Sequence, residues 1–169
     1  MRRTTPSEAE ALAVEAKRFH ARGDHEKALA LLRQSSDALP GRARVELDTA
    51  ELARRLGQSE VAVRHYRRAA TAYAKSGFAR QALAPLRTAL HIEHSRLPLS
   101  TASVTEIARE LADMLVLQGF AADAHQVVEL SVGAFVERGL PVPDTLAALV
   151  PPPALMTKLG RGPSRPPAR

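Results

Sequence analysis

Two histidines in the run HIEH, His91 and His94, stand three residues apart, which on a helix puts both imidazoles on one face and within reach of a single metal ion. Such a pair needs a third ligand, and Glu93 points elsewhere. The expectation is therefore of solvated or capping histidines rather than a metal site. His20 and His25 flank a turn, where they can interact with helix ends. Ser35, Ser36 and Asp37 lie together, but no Gly-x-Ser-x-Gly elbow or positioned base accompanies them, so nucleophilic catalysis has no support. Neither Gly-x-Gly-x-x-Gly nor a Walker sequence is present, and the absence of cysteine removes disulfides, thiolate nucleophiles and thiolate metal sites together. The chain reads as a binding protein with no catalysis and no cofactor.

The arginines offer the chemistry of anion recognition. On a helix over 59–75, at about 100° per residue, Arg64, Arg67, Arg68 and Lys75 gather roughly opposite the apolar stripe of Ala62, Tyr66, Ala69 and Tyr73. They must face solvent or a partner, and Arg54 and Arg55 add to the same field. A guanidinium grips a carboxylate bidentately, so this surface is read as suited to an acidic segment of a protein or peptide.

The net charge of +6 comes from the two ends of the chain, because residues 4–150 carry equal numbers of basic and acidic residues. Within that neutral body, 42–96 has 11 basic against 5 acidic residues, and 97–150 has 2 against 7. A basic waist and an acidic far end follow, an asymmetry that bears on partner choice and on head-to-tail self-association into a homo-oligomer. Nucleic acid is not the expected partner, since the body is neutral and aromatics for base stacking make up only 4% of the chain. No apolar run approaches a membrane span, and the start MRRTTPSEAE has no apolar core of a signal peptide, so a cytoplasmic protein is expected.

These residues need elements to hold them. Breaks at Gly23, Pro40-Gly41, Gly57, Gly77, Ser95 to Ser100, Gly119 and Gly139 to Pro143 separate seven segments of about 15–19 residues, each with apolar residues at helical spacing. The stripes include Leu12, Ala16 and Phe19, then Val45, Thr49, Leu52 and Leu56. No alternating strand pattern is sustained, so the fold is predicted to be all-α. Short turns force neighbouring helices to run antiparallel. Gly23 with Ala28, Gly57 with Ala62, Gly77 with Ala82 and Gly119 with Ala124 repeat one spacing. Each places a small side chain one turn into the second helix of a pair, where the helices approach.

This pattern resembles the tetratricopeptide repeat. Leu12, Ala16, Phe19, Ala28, Leu32 and Pro40 stand at its signature positions, and Gly57 follows Gly23 by the family's period of 34 residues. Tyr66, Ala70, Tyr73, Gly77, Ala82, Leu86 and Ala89 match a further unit, although Gly77 follows Gly57 by only 20 residues. The helix of 59–75 is therefore read as the second helix of one unit and the first of the next. A last unit reads Ala108, Leu111, Ala112, Leu115, Gly119, Ala124, Val128 and Ser131. Glu15 departs from the usual Leu, and Ala53 replaces an aromatic.

The resemblance implies a short α-solenoid of about seven helices, acting as a bacterial adaptor or scaffold of the kind used in signalling, motility, secretion and polarity. It further implies an inner groove lined by first-helix residues, here Lys17, His20, Arg44, Arg54, Arg55, Arg64 and Arg67, with Arg68 beside them. The set that binds chaperone tails is not reproduced, with Ala13 and Lys17 at its first two positions. Pro85 is expected to kink the fifth helix. The domain plan is a disordered start at 1–6, a repeat domain over 7–150 and a Pro/Arg-rich disordered tail at 151–169. Within it, PVPDTLAALV is expected to form a short capping helix, itself capped by Asp144.

Overall fold

The computed structural model of the chain describes residues 5–149, and among them every regular element is helical. The elements are α1 (Pro6–Ala21), α2 (His25–Ala38), α3 (Ala43–Arg55), α4 (Ser59–Lys75), α5 (Ala79–Ser95), α6 (Thr101–Leu117), α7 (Ala121–Val136) and α8 (Asp144–Ala147). The chain divides into two compact units at Ser100/Thr101, where the sequence suggested one continuous repeat domain. The tail reading at 151–169 lies outside the described residues. At the other end, Thr5 and Pro6 are the cap and first residue of α1: the Thr5 hydroxyl accepts from the Glu8 N–H (3.3 Å), and the Glu8 carboxylate accepts from the Thr5 N–H (2.6 Å). That reciprocal pair satisfies two donors that the first helical turn leaves open.

In the first unit α1 packs on α2, α2 on α3, α3 on α4 and α4 on α5. Helix α4 thus serves two hairpins, as the short Gly57-to-Gly77 spacing predicts. The turns after α1, α3 and α4 use one device, which the Pro40-Gly41 turn after α2 does not share. After α3, Gly57 takes φ +72° and donates to the Arg54 carbonyl, while the Gln58 N–H reaches back to the Ala53 carbonyl. The same two bonds recur from Gly77 and Phe78 after α4, and only glycine adopts this left-handed turn without a Cβ penalty. The next helix then starts at once, with Ala62 and Ala82 one turn in and fully buried.

The interior follows from those alanines. Ala16, Ala28, Ala50, Ala53, Ala62, Ala69, Ala70, Ala82 and Ala89 are all buried, with Leu29, Leu52, Tyr66, Leu86 and Leu90 filling the space between them. On α3 the buried stripe is Glu46, Thr49, Ala50, Leu52 and Ala53, while the expected Val45 and Leu56 are only half-buried. Helix α5 runs unbroken through Pro85, which is buried.

The second unit is a hairpin and its cover. Val104, Ile107, Leu111 and Leu115 of α6 face Ala124, Val128, Ser131 and Phe135 of α7, all buried. Leu146 of α8 is buried where α8 meets both helices, as a capping element requires. Burying a side chain such as Phe135 or Leu146 is worth roughly 1.5–3 kcal/mol, so even this one-turn helix stabilises the hairpin end. Asp144 is the first residue of α8 and Pro143 its N-cap, a correction to the expected cap; the carboxylate acts through the positive end of the helix instead.

Ala82 has no exposed surface, so Ala82→Leu must force α4 and α5 apart. The expected loss is ~1–3 kcal/mol, read as a lower denaturant midpoint at unchanged helicity. An unchanged midpoint would contradict close approach at that crossing.

Candidate functional site

Two hollows open beside the odd-numbered helices of the first unit. The first, about 380 Å³, is lined by Lys17 and His20 of α1 and by Arg44, Leu47, Asp48, Glu51 and Arg55 of α3, with Ala16, Leu32 and Leu52 at its floor. The second, about 350 Å³, is lined by Leu47 and Glu51 of α3, Tyr66 and Tyr73 of α4, and Gln81, Ala84, Pro85 and Thr88 of α5. Leu47 and Glu51, one helical turn apart, line both. The hollows are therefore adjacent parts of one strip running across α1, α3 and α5.

Charge along the strip is mixed. Arg44 Nε lies 3.0 Å from Asp48 Oδ1, and Arg54 lies 3.8 Å from Glu51, so two of the expected cations are already shared with carboxylates. Lys17 and Arg55 have no ion-pair partner among the described residues. His20 is turned toward His25, with their Nδ1 atoms 3.1 Å apart, which requires one ring to donate and the other to accept. In the second hollow, burial pushes the Tyr66 phenol above its ordinary 10.0 against the pull of nearby Arg54, so it stays a neutral wall.

The expected set of cations does not form one patch. Lys17, His20, Arg44 and Arg55 line the first hollow. Tyr66 and Tyr73 carry the strip-facing side of α4, and at about 100° per residue Arg64 and Arg68 fall some 160° away from Tyr66, on the outer side. There Arg68 lies 3.7 Å from Asp37 of α2. Arg67 is half-buried on the flank between. A helix that is shared by two hairpins has both lateral faces covered, so its long cations can only leave through the outer face. His91 is exposed, His94 half-buried, and among the described residues no cluster of three metal-ligating side chains occurs. Glu93 turns inward and accepts from Arg96 Nη1 (3.0 Å), whose Nη2 reaches Glu60 (2.7 Å), tying the end of α5 to the start of α4.

A buried polar group joins α2, α3 and α4, and the sequence reading missed it. Glu46 accepts from the Ser36 hydroxyl (2.8 Å) and from His65 Nδ1 (2.6 Å), with all three residues almost wholly buried. The signal was in the spacing: Glu46 falls in phase with Ala50 and Ala53, and His65 with Ala62 and Ala69, so each stands on a core stripe and needs a buried partner. Burial alone would raise the Glu46 carboxyl, but the hydrogen bonds from His65 and Ser36 and the charge of Arg68 hold it below its ordinary 4.5.

No protein-family model matches the chain, and no curated protein matches it. Among solved structures it is similar to a kinesin light chain of Podosopora anserina with nearly identical TPR-like repeats, at 20% identity over 82% of this chain and 80% of that one, with a TM-score of 0.37. It is also similar to MamA, at 13% identity over 80% of this chain and 90% of that one, with a TM-score of 0.33. The hairpin architecture itself stands on the turns and helix crossings described above.

Because the Glu46 carboxyl is depressed in the folded state, the stability it contributes is fully present above about pH 5 and lost as pH falls through its folded value below 4.5. Glu46→Gln is expected to lower stability by about 1–3 kcal/mol at neutral pH. Denaturant titrations from pH 7 to 3 should show the gap between parent and variant closing below the ordinary value of 4.5. A gap that stays constant across that range would remove the assigned role.

Proposed function

We propose that the chain is a non-catalytic adaptor that holds an extended, acidic segment of a protein partner along the α1–α3–α5 strip. The observation that carries this reading is the adjoining of the two hollows at Leu47 and Glu51, with Lys17 and Arg55 unpaired at the first of them. An incoming carboxylate gains a charge-assisted contact from Arg55 or Lys17 without first breaking an internal ion pair. Glu51 stands between the hollows and disfavours a second carboxylate, so the α3–α5 hollow, with Tyr66, Tyr73 and Pro85 in its wall, suits an apolar side chain.

Packed helices lie roughly 8–10 Å apart, so the two hollows are separated by about three residues of extended chain. The preferred segment thus carries an acidic residue about three positions from an apolar one. Among the described residues no helix is long and apolar enough to cross a membrane, and the reading requires none.

Selection of random peptides on the immobilised full chain should enrich that acidic-to-apolar spacing. Lys17→Glu with Arg55→Glu should weaken a selected peptide at least about tenfold, because repulsion replaces attraction, while Arg64→Glu with Arg68→Glu leaves it within about twofold. Enrichment of peptides without acidic residues, or loss of binding only in the α4 pair, would overturn the assignment.

A further inference from the structure

The outer face of α7 breaks three local rules within one short stretch. Gly133 lies in the last turn of the helix with an ordinary helical backbone, and among the described residues beyond its neighbours and its own helix backbone a methyl group there would meet no atom within 4 Å. Among the described residues nothing calls for the weakest helix former after proline at that position. Leu130 and Val136, one turn to either side, are 61% and 63% exposed. Glu137 caps the C-terminal end, where the helix dipole disfavours a carboxylate, and it has no ion-pair partner among the described residues. Arg138 beside it donates to the Ala134 carbonyl (2.8 Å), and Glu129 lies 2.9 Å from His125. At about 100° per residue, Glu129, Leu130, Val136 and Glu137 all fall within about 60° of Gly133, so these misfits share one face.

Local rules broken together on an exposed face are relieved by a contact the isolated chain does not make. The missing Cβ lets a second helix approach closely, Leu130 and Val136 provide apolar area, and the unpaired Glu137, with Glu129 adding its charge beside His125, favours a basic partner. A second α7 is excluded as that partner by its own carboxylates.

We infer that the outer face of α7 docks on the outer face of α4 in a second copy of this chain. Arg64, Arg68 and Lys75 are exposed in one row on that face, and Arg64 has no ion-pair partner among the described residues. Asp37 shares the charge of Arg68, leaving Arg64 and Lys75 as the stronger anchors. From Arg64 to Lys75 the row is about 16 Å long, and from Glu129 to Glu137 about 12 Å, at 1.5 Å rise per residue, so one row covers the other. The aliphatic stems of the arginines lie over Leu130 and Val136 while their heads meet the carboxylates. The two faces differ, so the contact joins unlike surfaces of two copies and each copy carries both halves of it. This inference uses surfaces separate from the α1–α3–α5 strip and holds whether or not that strip binds a peptide.

Sedimentation velocity of the full chain over rising protein concentration tests it. Concentration-dependent association beyond the monomer is expected, weakening as added salt screens the charges. Glu137→Lys and Arg64→Glu should each weaken association about tenfold or more, and an equimolar mixture of the two variants should recover it, since the reversed charges then meet. Gly133→Leu should abolish association while leaving the melting temperature of dilute protein unchanged or higher, which separates a lost contact from a damaged fold. Lys17→Glu with Arg55→Glu should leave association intact. A monomer at every concentration overturns the inference, as does a salt-insensitive dimer that ignores Arg64→Glu.

Discussion

Close approach of helix backbones at buried alanines is the constraint from which the rest of this molecule follows. With few aromatics and no cysteine, the first unit has few bulky wedges beyond Tyr66 and no covalent ties, and its helices are held largely by contact over small side chains such as Ala28, Ala62 and Ala82. Glycine turns of one geometry feed α1, α3 and α4 directly into the helices that follow, so the crossing alanine there falls one turn beyond the glycine. The packing is dense but thin. The two hollows described above open beside alternate helices.

The same economy explains the buried Glu46 and its partners. Alanine-based crossings give little directional information, because one small residue fits a facing surface much like another. A carboxylate that must find His65 and Ser36 at once is far more selective, and it sits where α2, α3 and α4 come together. Its desolvation is costly, and a mispaired arrangement would leave that cost uncompensated. The group thereby penalises any slip of the second hairpin against the first.

Much of this architecture was legible because it is local. The glycine-to-alanine spacing, the helix breaks and the double duty of α4 are all set within one or two turns of a single segment, and the structure carries them as expected. Pairings between segments were not legible in that way. Glu46 and His65 each read as ordinary polar residues until they are placed on core stripes, and they meet across 19 positions of sequence. The candidate site shows the same limit. Lys17, Arg44 and Arg55, expected in a groove by resemblance, line the first hollow, whereas Arg64 and Arg68 lie on the outer side of α4. Because α4 is also the second helix of α3, its groove side is taken by Tyr66 and Tyr73. The carboxylates of Asp48 and Glu51, which neutralise part of the strip, were visible in sequence but could be assigned to it only once the turn of α3 was known.

The division of cations between two faces is the feature that most determines what the molecule can hold. An amide chemical-shift map of the full chain, titrated with a short peptide carrying one acidic and one apolar residue three positions apart, tests that division most directly. The account predicts perturbations along Lys17, Leu47, Glu51 and Arg55 and across the facing turns of α5, with the outer row of α4 silent. Perturbations centred on Arg64 and Arg68, with the α1–α3–α5 strip unmoved, would contradict it.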